Sequence, residues 1–165
     1  MSIIHLFASV LALAVAGWSE AASAKLSKAY IGQDGLAHVV TQHGEDRGIP
    51  KAEGQVAVAD PKLASDDRTA GWLIEQDNCC TSYPIPTRIG IYRDGKTILL
   101  NSGLMIYSWN FRGGGKQVVA SIGTVHGMES VDFVLYDARV GKVLKEWSGA
   151  SGQNPPEWTK ALDSQ

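Results

Sequence analysis

Turn signals recur so closely along this chain that, between its two ends, they leave room for short strands and little else. Asp34-Gly35 separates the apolar residues 29–31 from 36–40, and Asp94-Gly95 separates 89–92 from 97–100. Gly113-Gly114-Gly115 divides 104–111 from 116–122, and residues 137–141 divide 131–136 from 142–147. Asp-Gly between two apolar runs is a strong hairpin signal, because glycine accepts the positive φ that a tight turn requires. Eighteen glycines and 44 % hydrophobic residues in 165 agree with a β-rich globular chain.

Two further β-like runs, 69–75 and 88–93, flank a loop that carries both cysteines and the prolines Pro84 and Pro86. Residues 42–54 are polar and without periodicity, so they read as a loop, and 55–59 then alternates as a short strand. After the Gly/Ser-rich linker 148–153, Asn154-Pro155-Pro156-Glu157 resembles a helix start. Trp158, Ala161 and Leu162 fall at i, i+3 and i+4, one face of a short helix; a frayed tail with one docked tryptophan is the competing reading. The expected fold is all-β, an antiparallel meander of about ten short strands in blade-like four-stranded units, with a short C-terminal helix. Residues 25–147 form the β domain, and 148–165 are linker and terminal segment.

The pattern repeats. Leu63-x-Ser65-Asp66-Asp67-Arg68 aligns with Phe111-x-Gly113-Gly114-Gly115-Lys116, and Tyr92-Arg93-Asp94-Gly95-Lys96 aligns with residues 136–142, about 45 residues apart. Residues 30–36 resemble the latter pair, so the order is half a unit followed by two whole ones. Segments such as Asp60-Pro61-Lys62-Leu63-Ala64-Ser65-Asp66-Asp67-Arg68-Thr69 and Ser108-Trp109-Asn110-Phe111-Arg112-Gly113-Gly114-Gly115-Lys116 resemble blades of TolB-type β-propellers. In those blades an aromatic and Ser-Pro-Asp-Gly-Lys precede an apolar strand; here the proline is missing from both copies and the turn glycine from the first. The resemblance implies a sheet architecture and a binding role, and it brings no catalytic residues. Propellers close with about four to eight blades, so two and a half units imply an incomplete propeller, a sandwich-like stack or part of a homo-oligomer.

At the N-terminus, the apolar run 3–16 precedes Ala22-Ser23-Ala24, the order of a secretory signal peptide with cleavage after Ala24. A membrane anchor is the alternative, but a span needs about 20 apolar residues and this run is shorter. A periplasmic or secreted protein, with no membrane span after processing, is therefore expected. The formal charge is −2 and no basic block appears. Electrostatics thus gives no reason to expect nucleic acid as a partner.

Cys79 and Cys80 are the only cysteines. In an oxidising compartment they are free thiols, an intermolecular bridge, or a disulfide between neighbours, and the last is the expectation. Adjacent Cα atoms lie about 3.8 Å apart, against roughly 5.5–6 Å in ordinary disulfides, so such a ring is strained. A metal site built from Asp77, Cys79, Cys80 and His126 lacks ligand spacing, and Ser82, His126 and Asp132 lack a nucleophile elbow. Arg112-Gly113-Gly114-Gly115-Lys116 lacks the spacing and the following Ser or Thr of a phosphate loop. No metal or cofactor is expected.

In a four-stranded meander, alternate connections fall at one end of the sheet. That places the loop 76–87, with Asp77, Cys79, Cys80 and Tyr83, beside the loop 124–129, with His126, Met128 and Glu129. Loops held by a rigid scaffold are where recognition concentrates. The expected function is an exported, non-enzymatic binding or assembly module for a protein or small-molecule ligand. The alternative is a periplasmic enzyme, or accessory subunit of one, using His126 with Asp77 or Glu129.

Overall fold

The hairpin at Asp34-Gly35 forms as its sequence dictates. β1 (Leu26–Ile31) turns into β2 (Ala37–Thr41) through Gly35, whose φ is 74°, and the Leu36 amide donates to Asp34 Oδ1 at 3.0 Å. The computed structural model of the chain describes residues 24–127, 131–149 and 154–162. The expected signal peptide, residues 1–24, lies outside them save for Ala24. Among the described residues no helix is long and apolar enough to cross a membrane.

Residues 42–54, read as a loop, contain a third strand, β3 (Asp46–Gly48), paired to β2 with His38 opposite Gly48 and Val40 opposite Asp46. All three of its residues are exposed. Backbone pairing and the polar side chains of Asp46 and Arg47 hold it, so no apolar period marks it in the sequence.

The second sheet is a meander of β4 (Ala57–Leu63), β5 (Thr69–Gln76), β6 (Ile85–Arg93) and β7 (Lys96–Asn101). β6 begins three residues before the expected Arg88. Pro86 enters the ladder opposite Glu75, where the register shifts, a place where a residue without an N–H is tolerated. The third sheet is a meander of β8 (Met105–Arg112), β9 (Gln117–Gly123), β10 (Asp132–Asp137) and β11 (Val143–Ser148). A 3-10 helix, Glu157–Leu162, follows. Of the described residues 54 % are strand and 5 % helix, far from the roughly one-third helix of an average globular domain. Among the described residues there are three antiparallel sheets of three, four and four strands, with no closed barrel. The leading half unit is therefore a three-stranded sheet, and the described residues hold eleven strands, in keeping with the expected count of about ten.

The middle sheet is buried on both faces, and β5 shows how. Ala70, Trp72 and Ile74 point toward Leu26 and Val39 of the first sheet and Ile49 just after it, while Leu73 points toward Trp109, Ala120 and Val134 of the third. Period-two alternation thus supplies two cores from one strand. Two glycines make room for the indoles. A Cβ at Gly90 would lie 2.7 Å from Trp72, and one at Gly71 would lie 2.8 Å from Trp109 Cη2. Neither position has space for a side chain.

The remaining face of the third sheet is covered by the terminal helix. Trp158, Ala161 and Leu162 do share one face and pack on Val119, Phe133, Leu135 and Trp147. Asn110 Nδ2 pins the helix by donating to the Ala161 carbonyl at 2.8 Å.

Equivalent turns stack on one another at the lower end of the sheets. A Cβ at Gly115, between β8 and β9, would meet Ala64, Asp66 and Thr69 of the β4–β5 turn at 2.9–3.0 Å. The Asp67 carbonyl in turn accepts from the Leu26 amide at 2.6 Å. The repeated turn sequences are points where one sheet sits on the next.

Candidate functional site

Up-and-down order puts the connections 32–36, 49–56, 77–84 and 102–104, and the described residues 124–127, at the upper end of the stack. The roots of the two expected working loops are joined there. Thr87, at the start of β6, bonds through its hydroxyl to Gln76 Oε1 at 2.7 Å, and its carbonyl accepts from the Ser102 hydroxyl at 2.9 Å. Three residues beyond Ser102, Met105 pairs with Gly123, the last residue before the second loop. Tyr107 lies over Gly123, and its hydroxyl donates to the Thr124 carbonyl. Arg88 Nη1 ties the neighbouring connection 49–56 in by donating to the Glu53 carbonyl at 3.1 Å.

Within the first loop, Asn78 organises the cysteines. Its Oδ1 accepts from the Cys80 amide at 2.8 Å and its Nδ2 donates to the Thr81 hydroxyl, which donates to the Tyr83 carbonyl. Cys79 and Cys80 are exposed free thiols with sulfurs 2.8 Å apart. Tyr83 is 58 % exposed. Asp77 and His126 are also exposed, and neither hydrogen-bonds to another described residue. Met128 and Glu129 lie outside the described residues. Among the described residues no three His, Cys, Asp or Glu side chains are arranged to hold a metal.

Large apolar side chains are exposed at the same end, where Val56, Tyr83, Leu104, Tyr107 and Val131 lie; at the opposite end Val140, Val143 and Leu144 are exposed around the β10–β11 turn.

A polar cluster that the sequence reading did not single out lies on the outer face of the first sheet. His38 stands opposite Tyr30 across the β1–β2 ladder, with ring centroids 5.1 Å apart. Its Nε2 faces Asp34 Oδ2 at 3.0 Å and its Nδ1 faces Asp46 Oδ1 at 2.9 Å. The Tyr30 hydroxyl donates to the other oxygen of Asp46, and the Lys28 ammonium sits 4.5 Å from the Tyr30 ring. Gly32 and Gly48 leave the space the imidazole fills. A carboxylate at each nitrogen favours the doubly protonated ring.

The bonds to Asp46 and then Asp34 raise the His38 pKa above its ordinary 6.5. Asp46 is lowered by the Tyr30 and His38 bonds, and Asp34 by the Leu36 amide and then His38. The available signal was the Asp34-Gly35 turn, whose register fixes Tyr30 opposite His38.

A group whose pKa rises on folding stabilises the fold fully below its unfolded value and loses that contribution as pH climbs through the folded value. Thermal midpoints of the protein should therefore fall as pH rises from about 6.5 through the raised His38 value. His38→Gln should flatten that limb, and an unchanged slope in the variant would remove the cluster from the account. The two aspartates act at the other limit, their contributions being lost below pH 4 or so.

The architecture defines a class, a stack of three antiparallel meanders capped by a terminal helix and open at one loop-bearing end. Compared with protein-family models, curated proteins and solved structures, the chain gives no match.

Proposed function

We propose that the chain is an exported, non-enzymatic binding or assembly module that engages its partner through the end carrying loops 76–87 and 124–129. The carrying observation is the asymmetry of the two ends. One gathers Val56, Tyr83, Leu104, Tyr107 and Val131 in exposed positions around two loops whose roots are linked through Thr87, Ser102 and the β8–β9 ladder, whereas the other exposes Val140, Val143 and Leu144 around a single turn. Exposed apolar groups clustered on a rigid scaffold mark recognition surfaces. The propeller-like reading of the repeated units accords with such a role, since stacked blades present their connections at shared ends.

A photoreactive phenylalanine analogue placed at 83 or 104, and separately at 140, tests the assignment in the native host. Irradiation should give one discrete adduct from positions 83 and 104 and none from 140, on a chain beginning at Lys25. Adducts only from 140, or none from either loop position, would overturn it.

A further inference from the structure

The loop 77–84 holds two thiols that face each other and no third group that needs them. Cys79 and Cys80 are the only cysteines in the chain, both are exposed, and their sulfurs are 2.8 Å apart. Asn78 fixes the backbone between them through its bond to the Cys80 amide, and Thr81 ties the following turn to the Tyr83 carbonyl. Access from solvent and a pre-set second sulfur are the two requirements of an exchange centre.

We propose that Cys79 and Cys80 form a dithiol–disulfide exchange site whose co-reactant is a small-molecule disulfide. One cysteine thiolate attacks a sulfur of the incoming R–S–S–R; a protein–ligand S–S bond forms, the ligand's S–S bond breaks, and one RS⁻ leaves. The neighbouring thiolate then attacks the protein-bound sulfur, closing the Cys79–Cys80 bond and expelling the second RS⁻. Two protons pass from the cysteines, through water, to the two leaving thiolates. Two electrons move from the protein to the ligand, and the products are the cyclic disulfide and two RSH.

The Cys80 thiol is raised above its ordinary range by its bond to, and the charge of, Cys79; the two thiols share one proton-bearing contact, and either sulfur can make the first attack. The second step joins groups already in contact, which makes the mixed disulfide short-lived. Bridging adjacent residues strains the ring, and strained bridges are the reducible ones. The pair therefore cycles instead of locking. This chemistry does not depend on the loops binding a partner, so either reading can fail without the other.

Equilibration of the reduced full-length chain with graded ratios of oxidised to reduced glutathione, followed by acid quench, alkylation and intact mass, tests the site. The wild type should lose two hydrogens and both alkylation sites together, stay monomeric without reductant, and recover both thiols in excess reduced glutathione. Cys80→Ser should stop at a stable glutathione adduct on Cys79. Phenylarsine oxide should shield both thiols of the wild type with one equivalent and release easily from the single variants. A persistent glutathione adduct on the wild type, a disulfide-linked dimer, or thiols that stay reduced at every ratio would each overturn the proposal.

Discussion

Trp109→Ala should lower the stability of the protein by about 3–5 kcal/mol, the range for removing a large buried aromatic ring. The indole is fully buried between the second and third sheets. It presses on the space left by Gly71, meets Phe111 edge-on at 5.2 Å, and has the Lys62 ammonium 5.2 Å from its centroid. Lys62 also donates to the Trp109 carbonyl at 2.8 Å, which fixes β4 to β8 at that point. Deleting the ring empties the centre of an interface that cannot collapse, because both sheets are held at their turns. Trp109→Phe should cost much less. It restores most of the volume and removes a buried Nε1 that has no acceptor among the described residues. Urea titration followed by far-UV circular dichroism gives both values, and an alanine variant within about 1 kcal/mol of wild type would contradict this account of the interface.

The other large effect is expected at Asp66, in the turn between β4 and β5. Its Oδ1 accepts from the Arg68 and Thr69 amides, both at 2.9 Å. Its Oδ2 accepts from the Thr69 hydroxyl at 2.9 Å and from Arg93 Nη1 at 2.7 Å. Burial opposes ionisation of this carboxyl, but the backbone and side-chain donors and the Arg93 charge outweigh it and hold the pKa below the ordinary range. Asp66→Ala leaves Arg93 without its main counter-charge and two amides without acceptors. Breaking a fully buried pair costs about 3–5 kcal/mol and an exposed one under about 1. The half-buried setting here places the loss at roughly 2–3 kcal/mol near neutral pH. A folded pKa below the unfolded one means that the contribution is present above about pH 4 and disappears as pH falls through the folded value. The gap between wild type and Asp66→Ala should therefore narrow in acid. A gap that stays constant to low pH would show that the charge is not what holds the turn.

The middle sheet, the third sheet and the terminal helix were legible because each is written as a local pattern. Asp94-Gly95 and Gly113-Gly114-Gly115 mark turns by backbone need alone. Trp158, Ala161 and Leu162 mark a helix face by spacing alone. β3 was not legible, since it joins the sheet by hydrogen bonds that any residue can make. The Tyr30–His38–Asp46 cluster was hidden for a related reason. Tyr30 and His38 become neighbours only through hairpin register, and Asp46 arrives from a segment with no periodicity of its own. The aligned turns 63–68 and 111–116 were read as a repeat, but their contact through Gly115 belongs to packing between sheets. Of the candidate loops, the shared end followed from strand order, whereas the bonds through Thr87 and Ser102 that join their roots depend on side-chain geometry.

The terminal helix also sets an order of events during synthesis. Every ladder among the described residues joins strands that are consecutive in the chain, so each meander can zip up from contacts close in sequence, which favours rapid folding. The outer face of the last sheet is different. Val119, Phe133, Leu135 and Trp147 find their cover only when residues 157–162 have emerged. Until then a finished sheet shows water an apolar surface, the kind of transient exposure on which chains associate wrongly. That segment, made after the sheet it covers, thus acts as the molecule's own chaperoning lid, and the interval before it docks leaves the growing chain open to aggregation.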